Sequence, residues 1–291
     1  MLKKRLVACI VVRGGIAVQS IGFKKYLPIG SAVIAAEFLN KWGIDEIILV
    51  DIDNIARKKG VDFSMITEIS KKIFVPLTVA GGIRNLEDIR KIVRCGADKI
   101  SINKLALTNP EIIKEASEIF GSQCIAVSID AKLNKNGVYK VFSDSGATET
   151  DFGAAQWAKQ AESLGAGEIF LNSIDRDGSK KGYDLDLVRT ISSAVNIPVI
   201  AAGGAGHPRH FLEGILDGNA SAVAAGNFFH FTEHSPIIVK SYLRRHNIDI
   251  RLETYADYDD IDFDEESGRI TKKPDSFLEK LRFEYMSEEI I

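Results

Sequence analysis

GIDEIILVDID, residues 43–53, and GAGEIFLNSID, residues 165–175, decide how this chain folds. Each runs from a glycine through a short apolar, β-rich stretch to an acid, the pattern of a buried strand bounded by turns. At the offset that carries Gly43 onto Gly165, with no gap, Lys59-Gly60 meets Lys181-Gly182 and Asp62 meets Asp184. Pro76 likewise meets Pro198, Gly81-Gly82 meets Gly203-Gly204, and Gly96 meets Gly218. Parallel βα units share composition, but composition alone does not hold register from Gly43 to Gly96. The chain therefore contains two similar halves, in which the second to fourth strands recur as the sixth to eighth.

Outward from this repeat, strand-like runs begin at Arg5, Glu46, Val75, Asp98, Gln123, Glu168, Ile197 and Ser221. Helix-like segments separate them, among them ITEISKKI, LEDIRKIV, PEIIKEASEIF and AAQWAKQAESLG. Several strands are apolar on both faces, as parallel strands covered by helices must be. Eight such strands, each followed by a helix, predict an α/β fold: a (βα)8 TIM barrel of two similar half-barrels. The barrel spans residues 1–251. Residues 252–291 are expected to form a short, solvated acidic C-terminal appendage that docks on the barrel or a neighbouring subunit; in it DIDFDEESGRITKK alternates like a hairpin and PDSFLEKLRFEYMSEE has the spacing of a short helix.

The 291 residues are 45% hydrophobic and 26% charged, with net charge −3. That apolar fraction excludes a disordered chain, and the charge gives no support for a nucleic-acid binder. Three cysteines, Cys9, Cys95 and Cys124, show no CxxC spacing and suit a reducing cytosol. The N-terminal run reads as a first strand rather than a signal peptide, and no stretch approaches a membrane span. A cytoplasmic location is expected. The appendage holds 13 acids and 5 bases from Leu252 onward, which leaves the barrel mildly basic, as a phosphorylated substrate would favour.

In such a barrel the active site lies at the strand carboxyl ends. Glycine loops there let backbone N–H groups cradle phosphate, and AGGI (80–83) and GGAG (203–206) are so placed. Asn103 ends the fourth strand and Ala225-Gly226 the eighth. Carboxylate candidates are Asp51, Asp130 and the turn Asp175-Arg176-Asp177-Gly178, and Asp51, Asp177, Ala225 and Gly226 are expected among the substrate contacts. Asp130 closes the fifth strand, where it can serve as general acid or base. The five histidines lack HExxH spacing, the acidic tail lacks an EF-hand's glycine position, and no metal or other cofactor is expected. At the opposite end, Arg5, Glu46, Lys99 and Glu168 each lie at or near a strand start and can close the axis with a salt-bridge ring.

KRLVAC, GIDEIILVDI, PLTVAGGI, GADKISIN, FGSQCIAVSIDAK, GAGEIFLNSIDRDGSKKGYD, AAGGAG and HFLEGILDG together resemble the cyclase subunit of imidazole glycerol phosphate synthase, from Met1 to about Arg251. The resemblance implies ammonia delivered along the barrel axis from a glutaminase docked at the barrel bottom, onto a phosphorylated small molecule. It places the family's gate on Arg5, Glu46, Lys99 and Glu168, channel-lining positions on Thr78 and Ser101, and the glutaminase-facing surface on Asp98. Phosphate positions fall on Gly82, Asn103, Gly178 and Gly204, and a catalytic aspartate on Asp130.

The departures are specific. Where the family has a second catalytic aspartate at the end of the first strand, this chain has Val11. The family's loop lysine falls on Gln19, a neighbouring glycine on Ser20, a phosphate-site threonine on Lys104 and a serine on Gly226. Intact ammonia positions beside an altered cyclisation site point to a changed acceptor: an acetamido nucleotide sugar converted to an acetamidino sugar for surface polysaccharide, with a third, amidotransferase-like protein. The alternatives are the true cyclase of histidine biosynthesis, with Asp130 carrying the chemistry, and a non-catalytic scaffold that conducts ammonia.

Overall fold

Eight parallel strands close into a ring in the computed structural model, which describes residues 3–53, 60–231, 234–252, 262–271, 273–274 and 276. They are β1 (Arg5–Arg13), β4 (Glu46–Asp51), β5 (Leu77–Ala80), β6 (Lys99–Ile102), β7 (Ile125–Leu133), β10 (Glu168–Ser173), β11 (Val199–Ala202) and β12 (Ala222–Ala225). Pairing runs β1-β4-β5-β6-β7-β10-β11-β12, and β12 pairs back with β1. Between the strands run helices α1 (Ala32–Lys41), α2 (Phe63–Ser70), α3 (Leu86–Arg94), α4 (Lys104–Thr108) and α5 (Glu111–Phe120). The layer continues with α6 (Ala154–Ser163), α7 (Leu185–Ser192), α8 (Pro208–Leu216) and α9 (Ser235–Arg245).

Strand alternation builds two apolar layers. Leu6, Ala8, Ile10 and Val12 of β1 face outward into the large core between barrel and helices. Val7 faces inward, where it joins Ile48, Phe170, Ile200 and Ala222. One strand thus supplies both surfaces, which is why it reads as a continuous apolar run.

The sequence repeat is visible in space. Asp62 caps α2 by accepting from the Met65 amide, and Asp184 caps α7 by accepting from Leu187. Gly81 and Gly203, equivalent by the repeat, press against the end of the preceding strand. A Cβ on Gly81 would lie 1.9 Å from the Asp51 carbonyl oxygen, and one on Gly203 would lie 2.7 Å from that of Ser173. Both also have positive φ, so glycine is required twice over.

Two antiparallel hairpins depart from the expectation that every barrel strand leads directly to a helix. After β1, β2 (Ile16–Ile21) and β3 (Lys25–Gly30) fold back, and after β7 so do β8 (Tyr139–Ser143) and β9 (Thr148–Gly153). Gly14-Gly15, both at positive φ, make the tight turn between β1 and β2. Asp144, Ser145 and Gly146, all at positive φ, turn β8 into β9. In the appendage, Phe263 and Ile270 form an antiparallel bridge. The helix expected after Pro274 lies outside the described residues apart from Pro274 and Ser276.

Candidate active site

A cavity of about 760 Å³ opens at the carboxyl ends of the barrel strands, a size that holds a small organic ligand. Asp130 projects into it from β7. Its Oδ2 accepts from Asn103 Nδ2 at 2.8 Å and its Oδ1 from Asn172 Nδ2 at 2.9 Å. Burial pushes the carboxyl up to about 6, against the two amide hydrogen bonds that favour its charged form, and the charge of Asp177 adds to the rise. A carboxyl with that affinity for protons can both take and return one near neutral pH.

Asp177, on the loop after β10, accepts from the Ser20 hydroxyl at 2.7 Å and from the Phe23 amide at 3.1 Å. Burial raises its carboxyl too, opposed by the bonds from Ser20, Phe23 and Gly22. Asn227, just past β12, accepts from the Ser20 amide at 3.2 Å and donates to the Ser20 carbonyl at 2.7 Å. The β2/β3 hairpin is therefore pinned across the barrel mouth. Asp177, singled out as a substrate contact, holds this hairpin, while Gly178 packs against Ser20 and Ile21.

The glycine loops lie where the sequence placed them. Gly82 and Asn103 line one side of the cavity and Gly204, Ala225 and Gly226 another. Asp51 also lines it, and its Oδ1 accepts from the Asp53 amide at 2.9 Å. Lys104, beside Asn103, pairs with Asp144 of the β8–β9 turn at 2.6 Å. Val11 faces the cavity from β1, so an apolar side chain stands where the resemblance puts a second carboxylate.

Arg5, Glu46, Lys99 and Glu168 close the opposite end as a ring of alternating charge. Arg5 bridges Glu46 at 2.6 Å and also bonds Glu168. Lys99 bridges Glu46 at 3.1 Å and Glu168 at 2.9 Å. Thr78 donates to Glu46 at 2.9 Å and so belongs to the ring as well as to the interior wall. Above it, the Ser101 hydroxyl is buried with no hydrogen-bond partner, as is the Oδ1 of Asn103. Polar atoms thus climb β6 from Lys99 through Ser101 to Asn103 just past its end, which bonds Asp130 of β7. Asp98 is exposed at the barrel bottom, where its carboxylate also accepts from the Leu77 amide at 2.8 Å.

Sequence reading missed Asn172, Ser20's partnership with Asp177, Asn227 and the place of residues 267–270 at the cavity. Asn172 was within reach: counting by twos from Glu168 gives Phe170 and Asn172, the inward positions of β10. Among the described residues no group of three or more His, Cys, Asp or Glu could hold a metal, and no helix is long and apolar enough to cross a membrane.

Fold and site define a (βα)8-barrel protein with its binding cavity at the strand carboxyl ends and a charged ring closing the other. The chain matches the histidine biosynthesis protein family over residues 5–235 and belongs to that family. A Vibrio vulnificus protein (strain YJ016), provisionally described as imidazole glycerol phosphate synthase subunit hisF2, is 44% identical over 264 residues, 91% of this chain and 97% of that protein. The imidazole glycerol phosphate synthase subunit HisF of Clostridium botulinum (strain Langeland / NCTC 10281 / Type F) is 44% identical over 253 residues, 87% of this chain and 100% of that protein. HisF of Hydrogenobaculum sp. (strain Y04AAS1) is 44% identical over 252 residues, with the same two shares. None of these three descriptions mentions a sugar. They agree with the cyclase alternative better than with the acetamidino-sugar expectation.

Proposed function

We propose that this chain is the ammonia-using synthase subunit of a glutamine-dependent pair, of the imidazole glycerol phosphate synthase cyclase type. The observation that carries this reading is Asp130, a buried carboxyl with its proton affinity near neutrality, set above a closed charged ring on the same barrel axis. A glutaminase docked at the ring end, beside Asp98, would release ammonia there. Displacing one arm of the ring would open the axis, and the unpartnered Ser101 hydroxyl offers ammonia a hydrogen bond on its way. Phosphoryl groups of the substrate would lie on the glycine loops at Gly82 and Gly204. Asp130 would take the proton that ammonia loses as its nitrogen bonds to carbon, then return it to the departing oxygen. Asn103 and Asn172 hold the carboxylate in place and stabilise its charged form.

Val11 favours a second reading, in which the ammonia is kept and the acceptor differs, an acetamido nucleotide sugar becoming an acetamidino sugar with help from a third, amidotransferase-like protein. One experiment separates the two. A histidine auxotroph lacking its own cyclase subunit receives this chain with a glutaminase. Growth that disappears in Asp130→Asn supports the cyclase reading. Absence of growth with folded, expressed protein overturns it, and Val11→Asp, which restores a carboxylate on β1, is then expected to recover growth.

A further inference from the structure

The described hairpin of the appendage, residues 262–271, folds back over the barrel mouth. Ser267, Gly268, Arg269 and Ile270 line the same cavity as Asp130, on the side of the Gly203–Gly206 loop and α8. The contact is close. A Cβ on Gly268 would lie 2.6 Å from both His207 Nε2 and Pro208 Cδ, and Gly268 is buried with φ +66. The Phe263 ring meets Tyr242 edge-on at 5.4 Å, and the Arg245 guanidinium lies 5.5 Å from its centre.

The charges of this hairpin are sorted. Asp262 pairs with Arg245 at 3.4 Å and Lys273 at 3.6 Å, and Asp264 accepts from the Ser267 amide at 2.6 Å. Glu265 interacts with Tyr242 and lies within electrostatic range of His207. Among the described hairpin residues, Arg269 is the charged one that lines the cavity. Its side chain is exposed, and no carboxylate among the described residues pairs with it. Lys180 lines the cavity beside the same loop, its backbone packed within 3 Å of where a Gly206 Cβ would stand. The Clostridium relative is matched along its whole length by 253 of this chain's 291 residues, so this chain is longer than that relative.

We propose that residues 262–271 form a wall of the substrate cavity, in which Arg269 binds an anionic phosphoryl group of the substrate beside the Gly203–Gly206 loop. This rests on the reading that the glycine loops hold phosphate. It makes Arg269 a specificity-determining residue: a planar guanidinium with its donors free binds a phosphoryl group in two-pronged fashion. A substrate whose phosphoryl group reaches past the glycine loop, as a nucleotide-linked diphosphate does, gains a contact that the barrel alone lacks.

The test is calorimetric titration of the full chain with inorganic phosphate and with pyrophosphate. In Arg269→Ala, affinity at one of the two glycine-loop sites falls about tenfold, the size of one charge-assisted contact. Arg269→Lys recovers part of it. Gly268→Val, whose side chain collides with His207 and Pro208 and lifts the hairpin, gives the same loss as Arg269→Ala. Unchanged affinity in Arg269→Ala, with the wild type binding phosphate, overturns the assignment and leaves the glycine-loop reading intact. Failure of the wild type to bind either anion overturns both.

Discussion

Asp130→Asn is expected to slow turnover sharply and at the same time stabilise the fold. The carboxyl's pKa is raised from 3.8 to about 6, chiefly by burial. Each unit is worth about 1.4 kcal/mol between the protonation states, so the ionised form costs the native state about 3 kcal/mol as an upper figure. The sign follows from proton counting. Between pH 3.8 and about 6 the native state binds more protons than the unfolded chain, so this group's contribution to stability falls as pH rises and is fully lost above pH 6. Asparagine carries no such cost. Its amide would face donors from both Asn103 and Asn172, but the unpartnered Oδ1 of Asn103 can accept from it after an amide flip. Urea denaturation from pH 4 to 8 measures both proteins. The variant's advantage should grow by about 2–3 kcal/mol across that range, while its rate falls about 10²–10⁴-fold. A flat difference, or a variant less stable at pH 8, would refute the account of Asp130 as a desolvated acid.

Three further outcomes are expected. Lys99→Met leaves Glu46 and Glu168 buried with only Arg5 between them, and should destabilise the fold by about 3–5 kcal/mol in urea melts; a loss under 1 kcal/mol would mean the ring is well solvated. Gly81→Ala places a methyl 1.9 Å from the Asp51 carbonyl at φ +97 and should cost more than about 3 kcal/mol by thermal melting. Ser20→Ala removes a hydrogen bond that favours the Asp177 carboxylate, so the Asp177 pKa should rise further in NMR titration and the amides of the β2/β3 hairpin should exchange faster. An unchanged Asp177 titration would show that the hydroxyl does not hold the hairpin.

The barrel, the two glycine loops, the charged ring and Asp130 were legible from residues alone. Strand alternation is a local property of period two, and the gapless repeat from Gly43 and Gly165 carries the architecture across the chain. What no local pattern contains is partnership across the mouth. Ser20 meets Asp177 and Asn227 at separations of 157 and 207 residues, and Asn103 and Asn172 converge on one carboxylate from two different strands. From its composition the hairpin at 262–271 read as part of a solvated acidic appendage docked on the barrel or a neighbouring subunit, with no role at the cavity assigned to it. Only folding shows that Asp262 pairs with Arg245 and Lys273 and Glu265 meets Tyr242, while Arg269 lines the cavity. Periodicity and glycine placement are set by neighbours along the chain, whereas the environment of Asp130, and hence its proton affinity, exists only once distant segments exclude water from it.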